Sequence, residues 1–233
     1  MKVAVVTPYY TESDSILGRC CESVNRQTYQ CQHILVADGK PKSNIRSTVE
    51  HIVLPTSHND AGATPRAIGA ISAFSRGYDT VAFLDADNTY QSTHIEIMVG
   101  LMLTAHADVI SATRNICDMD GKLLYIDTIE STGKDFCDTN CLFLGKRVIN
   151  LLSYWITDKE RRLWSDRQFW SAITQSEYQK QHSSTPTVNY YSKWAWHYQH
   201  AGKIPPADSV WISVSDTGSL IHTTHINSIS KKG

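Results

Sequence analysis

The chain has 233 residues, and its 22 Lys and Arg against 23 Asp and Glu leave a formal net charge of −1 at pH 7. This near-neutral balance, without a cluster of basic residues, argues against nucleic acid or an anionic membrane as the main partner. The longest apolar runs, such as 99–103, are far shorter than the roughly 20 residues of a membrane helix. Only four apolar residues separate Lys2 from Thr7, too few for a secretion signal, so the sequence predicts a cytoplasmic protein without a transmembrane segment.

The first half of the chain alternates short, β-branched apolar runs with amphipathic stretches. Strands are predicted at 3–7, 33–37, 51–54, 80–84 and 108–112. Helices are predicted over 13–27, 64–77 and 93–106, each opened by a capping residue at Ser13, Thr64 or Thr93. This alternation with short connections indicates an α/β fold, in which a mostly parallel central sheet is covered by helices on both faces.

The second half is less regular, and all six tryptophans lie in it, between Trp155 and Trp211, which indicates a different role. Residues 115–143 are predicted to be extended segments that return across the sheet. Their acidic side chains, Asp127, Glu130 and Asp135, are expected to face water, as most charged residues do. Further along the chain, the pattern predicts helices over 145–152 and 166–175, a mobile polar loop over 176–187 and a strand over 210–214.

Acidic residues follow three of the predicted strands at the point where each strand ends. Glu12 comes after the first strand, Asp38 after the second, and Asp85-Ala86-Asp87 after the fourth. Ligands of such sheets bind beyond the carboxyl ends of the strands, so these residues are expected on one rim. Two carboxylates with phosphate oxygens and water suit Mg²⁺ or Mn²⁺. The alternative is a surface turn, because Asp-x-Asp is short and common.

Two common phosphate-binding motifs are absent from the sequence. Neither GxxxxGK[ST] nor GxGxxG follows the first strand, which excludes P-loop phosphotransfer and the usual dinucleotide fingerprint. A nucleotidyltransferase would need a loop rich in Gly, Lys or Arg there, and residues 8–15 lack one. A phosphorylated ligand would therefore have to be neutralised by a metal ion.

A series of short segments resembles family 2 glycosyltransferases, which have the GT-A fold. The segments come in the family's order, at 8–12, 23–29, 34–39, 65–69 and 83–87, and an acidic motif at 163–167 extends the match to about residue 170. The resemblance implies a metal-dependent, inverting, hexosyltransferase-like enzyme of glycan biosynthesis. Its donor would be a nucleotide-diphosphate sugar such as a UDP-sugar, and its acceptor a hydroxyl of a glycan or another molecule. No QxxRW motif follows, which argues for a non-processive enzyme.

The resemblance also implies roles for single residues. The nucleotide-sugar site would comprise Pro8, Tyr9, Tyr10, Glu12, Asp38, Arg66, Asp85, Ala86 and Asp87. In it, Asp38 would accept a hydrogen bond from the base, and Arg66 would lie near the nucleotide or its phosphates. Asp85 would contact the ribose or metal-bound water, and Asp87 would ligate the Mn²⁺ or Mg²⁺ that bridges the diphosphate.

The general base implied by the resemblance is Asp166, which would take the proton from the acceptor hydroxyl. The alternative for Asp166 is a residue at a helix N-terminus, where the macrodipole favours a negative charge. His222 or His225 would complete the metal site, since some GT-A enzymes use a histidine near the C-terminus, although either could be a surface residue.

Three departures from the family's motifs keep a second function open. Thr11, Ala67 and Ser165 stand where the family commonly has Asn, Asn and Glu. A non-catalytic nucleotide- or carbohydrate-binding relative of the same fold is therefore the alternative to an enzyme. In either case the sequence predicts a single domain over 1–233, with a nucleotide-sugar-binding half at 1–114 and a half at 115–233 that binds the acceptor and carries the base.

Overall fold

The structure is a computed structural model that describes residues 1–156, 165–214 and 220–224. The strands are β1 Val3–Tyr9, β2 Cys31–Ala37, β3 Glu50–Val53, β4 Thr80–Phe83, β5 Thr89–Tyr90, β6 Val109–Cys117, β7 Leu123–Ile126, β8 Leu142–Gly145, β9 Lys180–Tyr191, β10 Val210–Val214 and β11 Leu220–Thr224. The α-helices are α1 Asp14–Asn25, α2 Ala63–Ser75, α3 His94–Thr104, α4 Ser165–Gln175 and α5 Ala195–His200. Two 3₁₀ helices lie at Thr139–Cys141 and Lys146–Trp155.

One nine-stranded sheet forms the centre of the molecule, in the order β3-β2-β1-β4-β8-β6-β9-β5, with β7 paired to β6 beside this row. β3, β2, β1 and β4 run parallel to one another. β8 then runs antiparallel to both β4 and β6, whereas β9 is parallel to β6. The α/β fold class expected from the sequence is confirmed. The antiparallel pairs of this sheet all involve strands β5 to β9, and β10 and β11 form a separate antiparallel pair.

Helices cover both faces of the parallel strands. Neighbouring residues of a strand point to opposite faces, and in β1 the hydroxyl of Thr7 lies 3.8 Å from the Cys20 thiol of α1. On the other face, Val6 packs so closely on α2 that a methyl group added to Gly69 would lie 2.5 Å from its side chain. β1 is buried along its whole length because it is covered on both sides.

Of the three predicted helix caps, Ser13 is confirmed, Thr64 is wrong, and Thr93 has the predicted position without a capping hydrogen bond. Ser13 does cap α1, where its hydroxyl accepts a hydrogen bond from the Ile16 amide at 3.3 Å. α2 begins after Gly62, whose φ of 81° lies in the left-handed region that favours glycine. The Asp60 carboxylate accepts a hydrogen bond from the Thr64 amide. Thr93 precedes α3 without a side-chain cap.

The predicted mobile loop over 176–187 is also wrong, since most of it belongs to β9. Polar side chains of β9 find partners there: the ring of His182 contacts the Ser111 hydroxyl of β6 at 2.9 Å, and Thr187 contacts His94 of α3 at 2.7 Å. The helix predicted over 145–152 is a 3₁₀ helix, whereas α4 and β10 match their predictions closely. No helix within the described ranges has the length and apolar character needed to cross a membrane.

Candidate active site

A cavity of about 310 Å³ opens at the carboxyl ends of β1, β2 and β4. It is lined by eight of the nine residues predicted for a nucleotide-sugar site, namely Pro8, Tyr9, Tyr10, Glu12, Asp38, Asp85, Ala86 and Asp87. The ninth, Arg66, bonds to one of them. Residues that sequence reasoning missed complete the wall: Ser57, Asn59, Asp60, Ala61 and Gly62. The signal for them was a short polar stretch that follows the β3 strand and precedes a helix.

The two tyrosines at the end of β1 differ in exposure. Tyr9 is buried, its hydroxyl lies 2.7 Å from Nε2 of His51, and it accepts the Lys42 amide at 2.9 Å. Tyr10 is 39% exposed, and its amide donates to the Glu12 carboxylate at 2.7 Å. Tyr9 therefore holds the wall of the cavity in place, whereas the Tyr10 ring is exposed, with the Lys40 ammonium over it at 4.5 Å from the ring centre.

Asp38 is tied into the cavity wall. Its carboxylate accepts the backbone amide of His58 and the His58 ring Nδ1–H, at 2.9 and 2.8 Å, together with the Ser57 hydroxyl at 3.1 Å. Burial raises the pKa of Asp38, but the hydrogen bonds from His58, Asn59 and Ser57 outweigh this and leave the pKa below its ordinary value. Asp38 thus stays ionised and fixes the 57–59 loop against the end of β2.

Asp85 is paired inside the protein. Arg66, which is 95% buried on α2, donates to one carboxylate oxygen of Asp85 at 2.5 Å. Asn140 donates to the other oxygen at 2.9 Å and also accepts the Asp85 amide at 2.6 Å. The Asp85 carboxylate is therefore held in one orientation, with its charge balanced by a guanidinium.

Asp87 has no such partner. Arg19 of α1 donates to its backbone carbonyl at 2.9 Å, but no side chain in the described ranges donates to its carboxylate. Burial and the nearby Asp85 charge raise the pKa of Asp87 to about 6, while Lys193 acts in the opposite direction. A partly buried carboxylate whose pKa is raised by burial and by a neighbouring carboxylate is one that a bound cation would stabilise in its charged form.

Asp166 lies in the first turn of α4, at the helix N-terminus, and its carboxylate accepts the Arg167 amide at 2.7 Å. Burial raises the pKa of Asp166, and the Asp138 charge adds to this, whereas Arg167 and Arg66 lower it. Arg66, which holds Asp85 at the cavity rim, thus also acts on the pKa of Asp166.

The acidic residues expected to face water include two that do not. Asp127 is 99% buried and Glu130 partly so, and both bind Arg114, which is itself buried on β6. The third of these residues, Asp135, is exposed, as predicted. Sequence reasoning also missed Asp138, the third carboxylate on Arg114, because its partner lies 24 residues away along the chain.

The histidines proposed for a metal site stay untested. The backbone of His222 pairs with that of Ile212 in the β10–β11 ladder, and His225 lies outside the described residues. Within the described part of the chain, no group of three His, Cys, Asp or Glu side chains is arranged to hold a metal ion. Among the described residues, Asp85 and Asp87 remain the predicted metal ligands.

A family profile and several solved structures match this chain. The profile of the family described as glycosyl transferase family 2 matches residues 4–158. No curated protein matches the sequence. Among solved structures, S. aureus TarS 1–349 in complex with UDP is 14% identical, with a TM-score of 0.64 over 86% of this chain and 63% of that one.

A second structure, S. aureus TarS 1–349 in complex with UDP-GlcNAc, is again 14% identical with a TM-score of 0.64, over 82% of this chain and 59% of that one. This chain thus spans less than two thirds of those chains, and at this identity the likeness shows the fold alone. The profile match covers well over half of the sequence. The chain therefore belongs to glycosyl transferase family 2.

Proposed function

We propose that this protein transfers a sugar from a nucleotide-diphosphate donor, a UDP-sugar, to a hydroxyl of an acceptor. The proposed enzyme is non-processive and inverts the anomeric configuration of the transferred sugar. The observation that carries the proposal is the cavity at the strand ends, which gathers Tyr10, Asp38, Asp85 and Asp87. Arg66, which holds Asp85 at this cavity, also lowers the pKa of Asp166. Family membership and the fold shared with TarS structures that hold UDP and UDP-GlcNAc support a nucleotide-sugar donor.

The cavity wall offers a distinct contact to each part of such a donor. The exposed Tyr10 ring provides a face for the nucleobase, since aromatic rings stack on planar groups. The 57–59 loop, held by Asp38, closes the far wall. Asp85, oriented by Arg66 and Asn140, is placed to accept a hydrogen bond from a ribose hydroxyl.

A divalent cation, Mn²⁺ or Mg²⁺, fits the carboxylate of Asp87, to which no side chain of the described residues donates a hydrogen bond, with Asp85 as its neighbour. When bound, such a cation would neutralise charge on the diphosphate leaving group. The wall itself carries Glu12, Asp60, Asp85 and Asp87, so an anionic donor needs a positive charge there. His222 and His225 remain further candidate ligands.

Asp166 would act as the general base. The acceptor hydroxyl would lose its proton to the Asp166 carboxylate as its oxygen forms a bond to the anomeric carbon. The bond from that carbon to the diphosphate oxygen would break on the opposite side, and the nucleotide diphosphate would leave with the electron pair. A single in-line displacement of this kind inverts the anomeric configuration. A pKa raised by burial makes Asp166 a stronger base than an exposed aspartate.

Asp166→Asn tests the proposal because it keeps the shape of the side chain but removes its basicity. We expect transfer at least about a hundredfold slower, with donor affinity within about threefold of the unsubstituted protein. Transfer is measured as release of nucleotide diphosphate, and donor affinity by calorimetry. Asp208→Asn, at an exposed aspartate, is the matched control.

Two results would contradict the proposal in different ways. Unimpaired transfer by Asp166→Asn would show that another group is the base. Donor binding without transfer or hydrolysis by the unsubstituted protein, tested against a panel of acceptors, would instead favour the non-catalytic binding role.

A further inference from the structure

A buried arginine outside the cavity gathers three carboxylates from one stretch of chain. Arg114 is 98% buried on β6. Its Nε donates to Asp127 at 2.8 Å, its Nη2 to Glu130 at 2.9 Å and its Nη1 to Asp138 at 2.6 Å. These partners all lie in residues 127–138, named here the Arg114 loop. None of these four residues lines the cavity.

One end of the Arg114 loop reaches Asp85. Asp138 accepts a hydrogen bond from the Asn140 side chain at 2.6 Å, and the same amide donates to the Asp85 carboxylate at 2.9 Å. Asn140 is completely buried, so this amide cannot turn freely to another partner. Arg114 is thus linked to the candidate donor-binding carboxylate by three consecutive hydrogen bonds.

The Arg114 loop also packs on the helix that carries Asp166. The second oxygen of Glu130 accepts the Arg167 guanidinium at 3.2 Å, and the guanidinium lies 4.4 Å from the centre of the Phe136 ring. One turn further along α4, the Trp170 indole donates to the Lys134 carbonyl at 2.9 Å. The first turn of α4 is therefore fixed by contacts with the loop.

This arrangement costs free energy to build. Three carboxylates and a guanidinium lose solvation when they are buried, and an apolar cluster of the same volume would often be as stable or more so. Such a group does define relative positions, because each charge has a fixed partner and a fixed direction. Its two ends are Asp85 on the donor side and α4 on the acceptor side.

We propose that Arg114 and Glu130 are positioning residues that hold Asp166 at a set place relative to Asp85, an inference that rests on the proposed function. They touch neither donor nor acceptor, so their loss lowers the rate of transfer and leaves donor binding intact. A displacement of a reacting group by about 1 Å can cost about a hundredfold in rate.

The test uses Glu130→Gln and Arg167→Met, singly and together, because both side chains are partly exposed and their removal leaves the core in place. We expect kcat to fall at least about tenfold in each single variant, while the donor KM stays within about threefold. The double variant should fall no further than the worse single variant, since both substitutions break the same contact. Glu130→Asp, which keeps the charge, should recover part of the rate.

Glu50→Gln is the matched control, since it removes one carboxylate from an arginine pair, with Arg76, at the start of β3. Its kcat should equal that of the unsubstituted protein. Unchanged kcat in Glu130→Gln and Arg167→Met, or a donor KM that rises in step with the fall in kcat, would overturn this assignment alone. An unsubstituted protein that transfers no sugar would overturn the proposed function and this assignment with it.

Discussion

Two histidines in the core are neutral imidazoles. Nε2 of His33 lies 2.9 Å from the Thr7 hydroxyl, and Nδ1 of His94 lies 2.7 Å from the Thr187 hydroxyl. The second ring nitrogen of each is buried without a hydrogen-bond partner among the described residues. Burial lowers the pKa of His33 and of His94 to about 3, because an imidazolium in either place would lose its solvation.

The free energy of unfolding should therefore fall in acid. Each histidine has a folded-state pKa below its unfolded value of about 6.5, so its contribution is complete above that pH and is lost as the pH falls towards about 3. One such group should cost about 2 kcal/mol of stability between pH 6.5 and pH 5. Urea unfolding of His33→Gln should show a pH dependence smaller by that amount, since glutamine does not titrate.

The control for this measurement is an exposed histidine. His106 has a φ of 50°, a conformation that Asn tolerates, so His106→Asn should leave the pH dependence unchanged. An equal pH dependence in His33→Gln and the unsubstituted protein would show that His33 is not buried as a neutral ring.

Single site residues could be predicted from the sequence where they directly follow a predicted strand. Asp38 and Asp85 follow strands that end at one edge of a parallel sheet, so the cavity was predictable once the strands were. Arg114 was not, because its three partners lie 13 to 24 residues away in a stretch without periodic apolar residues. Their pairing depends on how that stretch folds back, which no local pattern encodes.

Among the elements, β9 shows why a polar segment can be misread. Its sequence has few apolar residues, yet its backbone pairs with β6 from Val109 to Cys117, and its polar side chains find partners across the sheet. The segment forms a strand because its backbone hydrogen bonds pair with β6, although its side chains lack the apolar pattern of a strand. The buried parallel strands were predictable because both of their faces are covered by helices.

The contact between α2 and the sheet depends on Gly69. A Cβ at this position would lie 2.5 Å from Val6 and 2.9 Å from Val36, closer than carbon atoms approach. Gly69→Ala should thus push the helix from the sheet and lower the free energy of unfolding by about 1–3 kcal/mol. Urea unfolding followed by circular dichroism measures the change.

Gly100 of α3 is the matched control for Gly69. It also lies inside a helix, but a Cβ there would meet nothing within 4 Å. Gly100→Ala should raise the free energy of unfolding by up to about 1 kcal/mol through helix propensity. Equal effects at the two glycines would contradict the close packing of α2 on β1 and β2.

On the scale of the whole molecule, the site draws on both halves of the chain. Asp85 and Arg66 come from the first 114 residues, whereas Asn140 and Asp166 come from the remainder, and one continuous sheet joins them. The assignment of donor and acceptor binding to separate halves stays a prediction. A net charge of −1 is compatible with an anionic donor because the acidic rim needs only one local cation.

Thermal unfolding with UDP and Mn²⁺ tests that need for a cation. A ligand that binds only the folded protein stabilises it by about 2.7 kcal/mol at a hundred times its Kd, which for a chain of this size raises Tm by about 5–10 °C. We expect this rise with UDP and Mn²⁺ together and little change with UDP and a chelator. Asp87→Ala should abolish the rise, while Asp208→Asn should keep it. A full rise in Asp87→Ala, or in the presence of chelator, would show that the diphosphate is held by the protein's own groups.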